Sequence, residues 1–241
     1  MAIAFDASAS GNNAGASSLT IAHTCTGSDR LLLVGVFCQE TPTSYDVVTG
    51  VTYNGVAMTQ LAKIDCGIAV QGVYLYGLLA PATGANNIVV SASTTTDVLE
   101  LKSLSYTGVK QSGLPDASDT SNGALVTSIS NDITTILDNC WAVMWSWSER
   151  LLNATAGVTA RLGANSQSWI GDSNGVISPA GSFTGTLSLS SANRVGAIMV
   201  SFAPPASGPA NVKTWDGLAL ASVKTIDGLA IASVKTIDGL N

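Results

Sequence analysis

Apolar and polar residues alternate over short stretches through most of the chain, with turn-forming residues between them about every 8 to 15 positions. "SLTIAHTC" (Ser18 to Cys25) leads into "RLLLVGVFCQ" (Arg30 to Gln39). The unbroken apolar run Leu31 to Cys38 predicts a central strand covered on both faces. In "VTGVTYNGVAMTQLA" (Val48 to Ala62), Asn54-Gly55 sits between alternating residues, a strong local signal for a two-residue hairpin turn. "IAVQGVYLYGLLA", "IVVSAS" and "VLELKSLSYTGV" follow, and in the last the apolar phase shifts between Leu101 and Leu104, which predicts a β-bulge. After a loop "KQSGLPDASDTSNG" come "ALVTSISNDI", "CWAVMWSWSE", "AGVTARLG", "SWIGDSNGVIS", "GTLSLSSA" and "RVGAIMVSFA". No long stretch keeps a helical i, i+3, i+4, i+7 stripe free of glycine. The expected fold is all-β: a jelly-roll-like antiparallel β-sandwich over residues 1–203 with a short C-terminal repeat.

"PPASGPA" removes backbone donors and marks a linker over residues 204–211. The tail, residues 212–241, is one phrase written almost three times, "VKTWDGLALAS", "VKTIDGLAIAS" and "VKTIDGLN", with Val212, Val223 and Val234 opening the copies at an eleven-residue period. An odd period turns each copy's apolar set onto the opposite face of a strand unless something resets the phase. Asp216-Gly217, Asp227-Gly228 and Asp238-Gly239 can reset it, because Asp-Gly suits a two-residue hairpin. A helix of three turns per repeat is the rival, set against a glycine in every copy that costs roughly 1 kcal/mol. Strands this short bury no core alone, so the tail is expected to need a partner surface. The expected attachment residues are Val212, Trp215, Leu218, Val223, Ile226, Leu229, Val234, Ile237 and Leu240. A loosely ordered terminus is the bland alternative.

Composition narrows the function. Of 241 residues only 11% are charged, 46% are hydrophobic, and the net charge is −6. Scattered Lys and Arg offer no basic stripe for a phosphate backbone, so no nucleic-acid partner is expected. No cationic segment followed by an apolar one opens the chain and no long apolar run occurs, so neither conventional export nor a membrane partner is expected. Cys25, Cys38, Cys66 and Cys140 are too dispersed for a scaffold and read as buried thiols, with a Cys25 to Cys38 bridge left open.

Catalysis by Ser-His-Asp must use His23, the chain's one histidine, which lies in an apolar strand without a nucleophile-elbow motif. Nothing selects a catalytic pair among Glu40, Asp46, Asp97, Glu100 and Glu149, and most aspartates sit beside Gly, Ser or Asn, where the side chain caps turns. "DASDTSNG" is rich in oxygen ligands but lacks calcium-loop spacing. The chain therefore reads as a non-enzyme with no cofactor and no metal. In "CWAVMWSWSE", Trp141, Trp145 and Trp147 share one face of a strand. The row reads as sandwich core, or else as a platform for glycan contact.

"SDRLLLVGVFCQE", "VTGVTYNGVAMTQLA", "VYLYGLLAPATGANNIVVSAS" and "LSYTGVKQ", over roughly residues 28–112, resemble a β-sandwich domain recurring in structural proteins of tailed bacteriophages and in some bacterial surface proteins. The closing "VKTIDGLAIASVKTIDGL" is similar to short repeats that end many such proteins. The resemblance implies a virion protein, assembled in the host cytoplasm and exposed on the particle. It would most simply be a capsid decoration (cement) protein, with a tail-fibre or receptor-binding component as the alternative; from a different class, the face of Trp141, Trp145 and Trp147 offers a carbohydrate-binding module as the runner-up. Its implied partners are itself, as a homo-oligomer such as a trimer, other virion proteins, and a cell-surface glycan.

Overall fold

In the computed structural model, residues 2–42 and 44–206 are described in full, and in the tail the strands of residues 214–215, 218–219, 225–226 and 229–230. Two units divide the chain, Ala2–Pro204 and the tail from Pro205. The first unit contains fourteen strands among its described residues: β1 (Ala4–Asn13), β2 (Ala16–Cys25), β3 (Leu31–Gln39), β4 (Val48–Tyr53), β5 (Val56–Ala57), β6 (Thr59–Asp65), β7 (Gln71–Leu79), β8 (Gly84–Thr96), β9 (Val98–Thr107), β10 (Ser118–Thr134), β11 (Trp141–Ala156), β12 (Thr159–Leu162), β13 (Ser166–Asp172) and β14 (Ser182–Phe202).

The first nine strands pair in a nested order, β1 with β9, β2 with β8, β3 with β7 and β4 with β5, all antiparallel. That is one long ribbon folded at the hairpin between β4 and β5 and rolled into two sheets, the topology of a jelly roll. Its centre is Asn54-Gly55, where φ values of 50° and 76° give the turn that matches strand twist. The central sheet has the order β1-β9-β3-β7-β6 and the front sheet β2-β8-β4-β5. A third sheet, the back sheet, has the order β10-β14-β11-β13-β12 and stacks on the far side of the central one.

The expected two-sheet sandwich over residues 1–203 is therefore a jelly roll plus a third layer, with three cores. Leu32, Val34, Val36, Tyr74, Leu99 and Leu101 fill the front core against Leu19, Val51, Tyr53, Ile88 and Val90. On the opposite face of the central sheet, Leu31, Leu33, Phe37, Val73, Leu75 and Tyr106 meet Val143, Trp145, Ile170, Ile198 and Val200 of the back sheet. β3 is buried along almost its whole length because it faces both cores, as its apolar run predicts.

The bulge expected between Leu101 and Leu104 is absent, since β9 pairs with β3 in unbroken register from Val98 to Tyr106. The apolar residues change phase because they change core: Leu99 and Leu101 face the front core, Leu104 and Tyr106 the middle one. The polar positions left over, Ser103 and Ser105 on one face and Glu100 and Lys102 on the other, lie at diagonal corners of the stack. The nearby irregularity belongs to β1, between Phe5 and Ala7.

In the back sheet, β10, β11 and β14 run for 17, 16 and 21 residues. Register breaks at Gly123/Val126 and Ser148/Leu152 let them fold back over their own sheet. Ile129, Ile133, Leu187 and Leu189 thereby cover Ala142, Met144, Trp169, Ala197 and Met199, forming the third core. A Cβ placed on Gly185 would lie 3.2 Å from Met199 Sδ and 3.3 Å from Met144 Sδ, so the two halves of β14 are in contact across the fold. The segment from Ser118, expected as loop, is the first arm of β10, paired with Gly123 opposite Val195 and Ser118 opposite Val200.

In the tail, β15 (Thr214–Trp215) pairs with β16 (Leu218–Ala219), and β17 (Thr225–Ile226) with β18 (Leu229–Ala230). Thr214 faces Ala219 and Trp215 faces Leu218; eleven residues on, Thr225 faces Ala230 and Ile226 faces Leu229. Two residues separate the inner paired positions in each case, the loop length that the Asp-Gly dipeptides suit.

Candidate functional site

Tryptophans settle one expectation. Trp141, Trp145 and Trp147 are 9%, 0% and 7% exposed and face the central sheet. Trp147 stacks on Phe37 with ring centroids 3.7 Å apart and planes 6° from parallel. Trp145 lies on Gly35, where any side chain would collide with the indole, and its Nε1 donates to Val36 O at 3.3 Å. The row is core, and the expected glycan platform is corrected: no ring face is open to a sugar.

Carboxylates in the described unit act mainly as caps and braces. Asp97 accepts from Thr41 N (2.9 Å), Asp65 from Gly67 N (2.7 Å) and Asn122 Nδ2 (2.8 Å), Asp138 from Ala180 N (2.7 Å), and Asp116 from Ile136 N (2.9 Å). Asp119 accepts from Asp132 N at 2.9 Å and Asn131 Nδ2 at 3.1 Å. Four of the five acids considered for catalysis are held by separate partners. Asp46 pairs with Lys63 (2.7 Å), Glu100 with Lys102 (3.6 Å) and Ser168, and Glu149 with Arg194 (3.4 Å) and Gln71 (3.1 Å), while Asp97 caps Thr41. Among the described residues no group of three or more His, Cys, Asp or Glu is placed to hold a metal ion.

His23 sits in the front core, 2% exposed, with Nδ1 2.9 Å from Ser103 Oγ. Ser103 is wholly buried and its hydroxyl is 3.2 Å from Ala9 O. Asp6 nearby is held by Thr26 and by Ser105 (2.8 Å). Burial drives the imidazole pKa down to about 4, against the opposing pull of Asp6. Serine and histidine thus meet, but both are buried, while Asp6 is half-buried and its carboxylate is taken by Thr26 and Ser105. A second polar brace crosses the middle core. Tyr106 donates to Asp172 Oδ2 at 2.7 Å and Arg161 Nε donates to the same oxygen at 2.8 Å, while the guanidinium lies 4.6 Å over the Phe5 ring.

All four cysteines are buried and free, so the Cys25 to Cys38 bridge does not form. Burial raises each thiol, to about 12 for Cys38 and Cys140.

Of the expected attachment residues, Trp215, Leu218, Ile226 and Leu229 lie in the four tail strands. Val212, Val223, Val234, Ile237 and Leu240 lie outside the described residues.

One surface went unsingled in the sequence. The far face of the front sheet carries Ser18, Thr20, Ala22 and Thr24 from β2, Ala85, Asn87, Val89 and Ser91 from β8, and Gly50 and Thr52 from β4, with no charged residue. A shallow depression of about 450 Å³ indents it around Asn54, Asn87 and Thr52, and a second of about 500 Å³ lies at its edge, where Gly50 and Ser91 meet Gln60 of β6 and Tyr76 of β7 in the central sheet. Small neutral residues leave no signature that distinguishes such a face from any solvated one.

No family model matches the chain, and no curated protein matches it either.

Proposed function

We propose that this protein is a non-enzymatic structural component of a bacteriophage particle, a capsid decoration protein whose repeat tail ties copies to one another or to the virion. The observation that carries the reading is the tail's pair of hairpins in identical register, eleven residues apart, each too small to be stable in water by itself. Identical units that need a surface to complete them are built for association, with each other or with the same segment of other chains.

Charge supports the same reading. Lys213, Lys224 and Lys235 balance Asp216, Asp227 and Asp238, so the tail is neutral and all of the net −6 resides in residues 1–204. Tails can therefore gather without mutual repulsion, while the stacked bodies repel and stay apart. A body of three cores, with loops held by carboxylate caps and most of its acids committed to internal partners, suits a repeated building block. Many modest, identical contacts then supply strength through effective concentration. A receptor-binding component is a second reading, favoured by the open, uncharged far face of the front sheet.

The test is to remove residues 212–241 and measure mass by light scattering. The full chain should be a multimer and the shortened chain a monomer that keeps the native far-ultraviolet spectrum. An unchanged mass together with undiminished binding to particles after the deletion would overturn the reading.

A further inference from the structure

The far face of the front sheet holds a site of a different kind from the tail. Asn54 and Asn87 come together there because β4 and β8 are neighbours, with Asn54 N donating to Asn87 O at 3.0 Å at the start of the hairpin turn. Both residues are exposed, and among the described residues no side-chain hydrogen bond occupies either amide group. Thr52 adds a hydroxyl beside them, and Gly55, Ala85 and Val89 form a low floor. Beneath, Asn86 is tied by its Nδ2 to Thr83 O (3.2 Å), Gly84 O (3.3 Å) and Tyr53 Oη (3.4 Å), which fixes the rim of the depression.

We propose that this depression of about 450 Å³ is a subsite for a neutral saccharide. Each carboxamide presents a donor and an acceptor side by side, and two of them with a hydroxyl match the mixed donor and acceptor edges of vicinal diols. The absence of charged groups from the lining removes any gain for an anionic or cationic ligand. Carboxylates or phosphates would forfeit their hydration without a partner. The small apolar floor accepts the C–H face of a pyranose ring without obstructing it. Without an aromatic platform, a single subsite binds weakly, in the millimolar range. This inference does not rest on the assembly reading: the site lies wholly within the first unit, and the deletion of the tail leaves it intact.

The experiment is saturation-transfer difference NMR on the full chain, a ligand-observed method that tolerates large assemblies. Chitotriose, maltotriose and cellotriose serve as neutral probes at ~10 mM, and 3′-sialyllactose as the charged one. At least one neutral probe should show transfer. Its affinity, read from the dependence of the transfer signal on probe concentration, should fall at least ~10-fold, equivalent to about 1.4 kcal/mol, in Asn87→Leu and in Thr52→Val, with the melting temperature of each variant unchanged. No transfer to any neutral probe, transfer that survives both substitutions, or equal transfer to sialyllactose through its charged residue would each overturn the proposal. A failure here with a tail-dependent multimer still observed would leave the assembly reading standing, and the reverse result would do the opposite.

Discussion

The front and back sheets both lie against the central sheet, yet their far faces have opposite fates. The back sheet's far face is apolar, with Ala142, Met144, Trp169, Ala197 and Met199, and its own long strands fold over to bury it. The front sheet's far face is small, polar and uncharged, and stays open. One chain thus meets the same geometric situation twice, an outer sheet with one face already used. It answers with a third core in one case and a solvated surface in the other. The difference teaches where a partner can be met: the back sheet is closed by its own strands, and the front sheet remains available.

Lysine scanning on the two far faces exposes that contrast. Met144→Lys places an ammonium in the third core without a partner, and the expected loss exceeds about 4 kcal/mol in urea titration, enough to unfold much of the population. A mild effect would mean that the folded-over arms do not seal that face. Asp172→Ala strips the brace between central and back sheets, leaving Arg161 and Tyr106 without their acceptor, at a cost of about 3 kcal/mol. Arg161 is held by its hydrogen bond to Asp172, which raises its pKa, so Tyr106→Phe, which leaves that bond in place, should cost less.

The front core responds to acid instead. His23 titrates near 4 in the folded protein against an ordinary 6.5, so the fold favours the neutral ring. That contribution is fully present above pH 6.5 and is lost as the pH falls from 6.5 to about 4, to a total of roughly 3 kcal/mol. His23→Gln should flatten the fall in stability over that window, and a profile identical to the parent's would show that the imidazole is not sealed. Thr20→Lys on the front sheet's far face is the smallest perturbation, within about 0.5 kcal/mol, because its side chain already points to water.

Much of this architecture was written in local pattern. The run Leu31 to Cys38 announced a strand buried on both sides, Asn54-Gly55 announced the tip of the ribbon, and the spacing of Trp141, Trp145 and Trp147 announced one shared face. Aspartates beside Gly, Ser or Asn announced caps, as Asp119, Asp138 and Asp172 bear out by accepting from the backbone N–H groups of Asp132, Ala180 and Asn174. What periodicity does not carry is the identity of the layer that covers a face. Leu101 and Leu104 look like a slipped register, but they serve two cores from one regular strand. "GTLSLSSA" and "RVGAIMVSFA" look like separate strands because a fold-back corner and a turn both interrupt alternation with small polar residues; they are the two arms of β14. The depression at Asn54 and Asn87 was invisible because its parts are 33 residues apart and meet only through the pairing of β4 and β8.

The central claim is that the tail's repeated hairpins draw chains together. Its most direct test is transplantation: residues 207–241 fused to an unrelated monomeric carrier protein, with mass measured by sedimentation equilibrium across a range of concentrations. The account predicts that the carrier becomes a multimer of defined stoichiometry and reverts to monomer when the three Asp-Gly pairs are replaced by Ala-Ala. A fusion that sediments as a monomer at every concentration would contradict it.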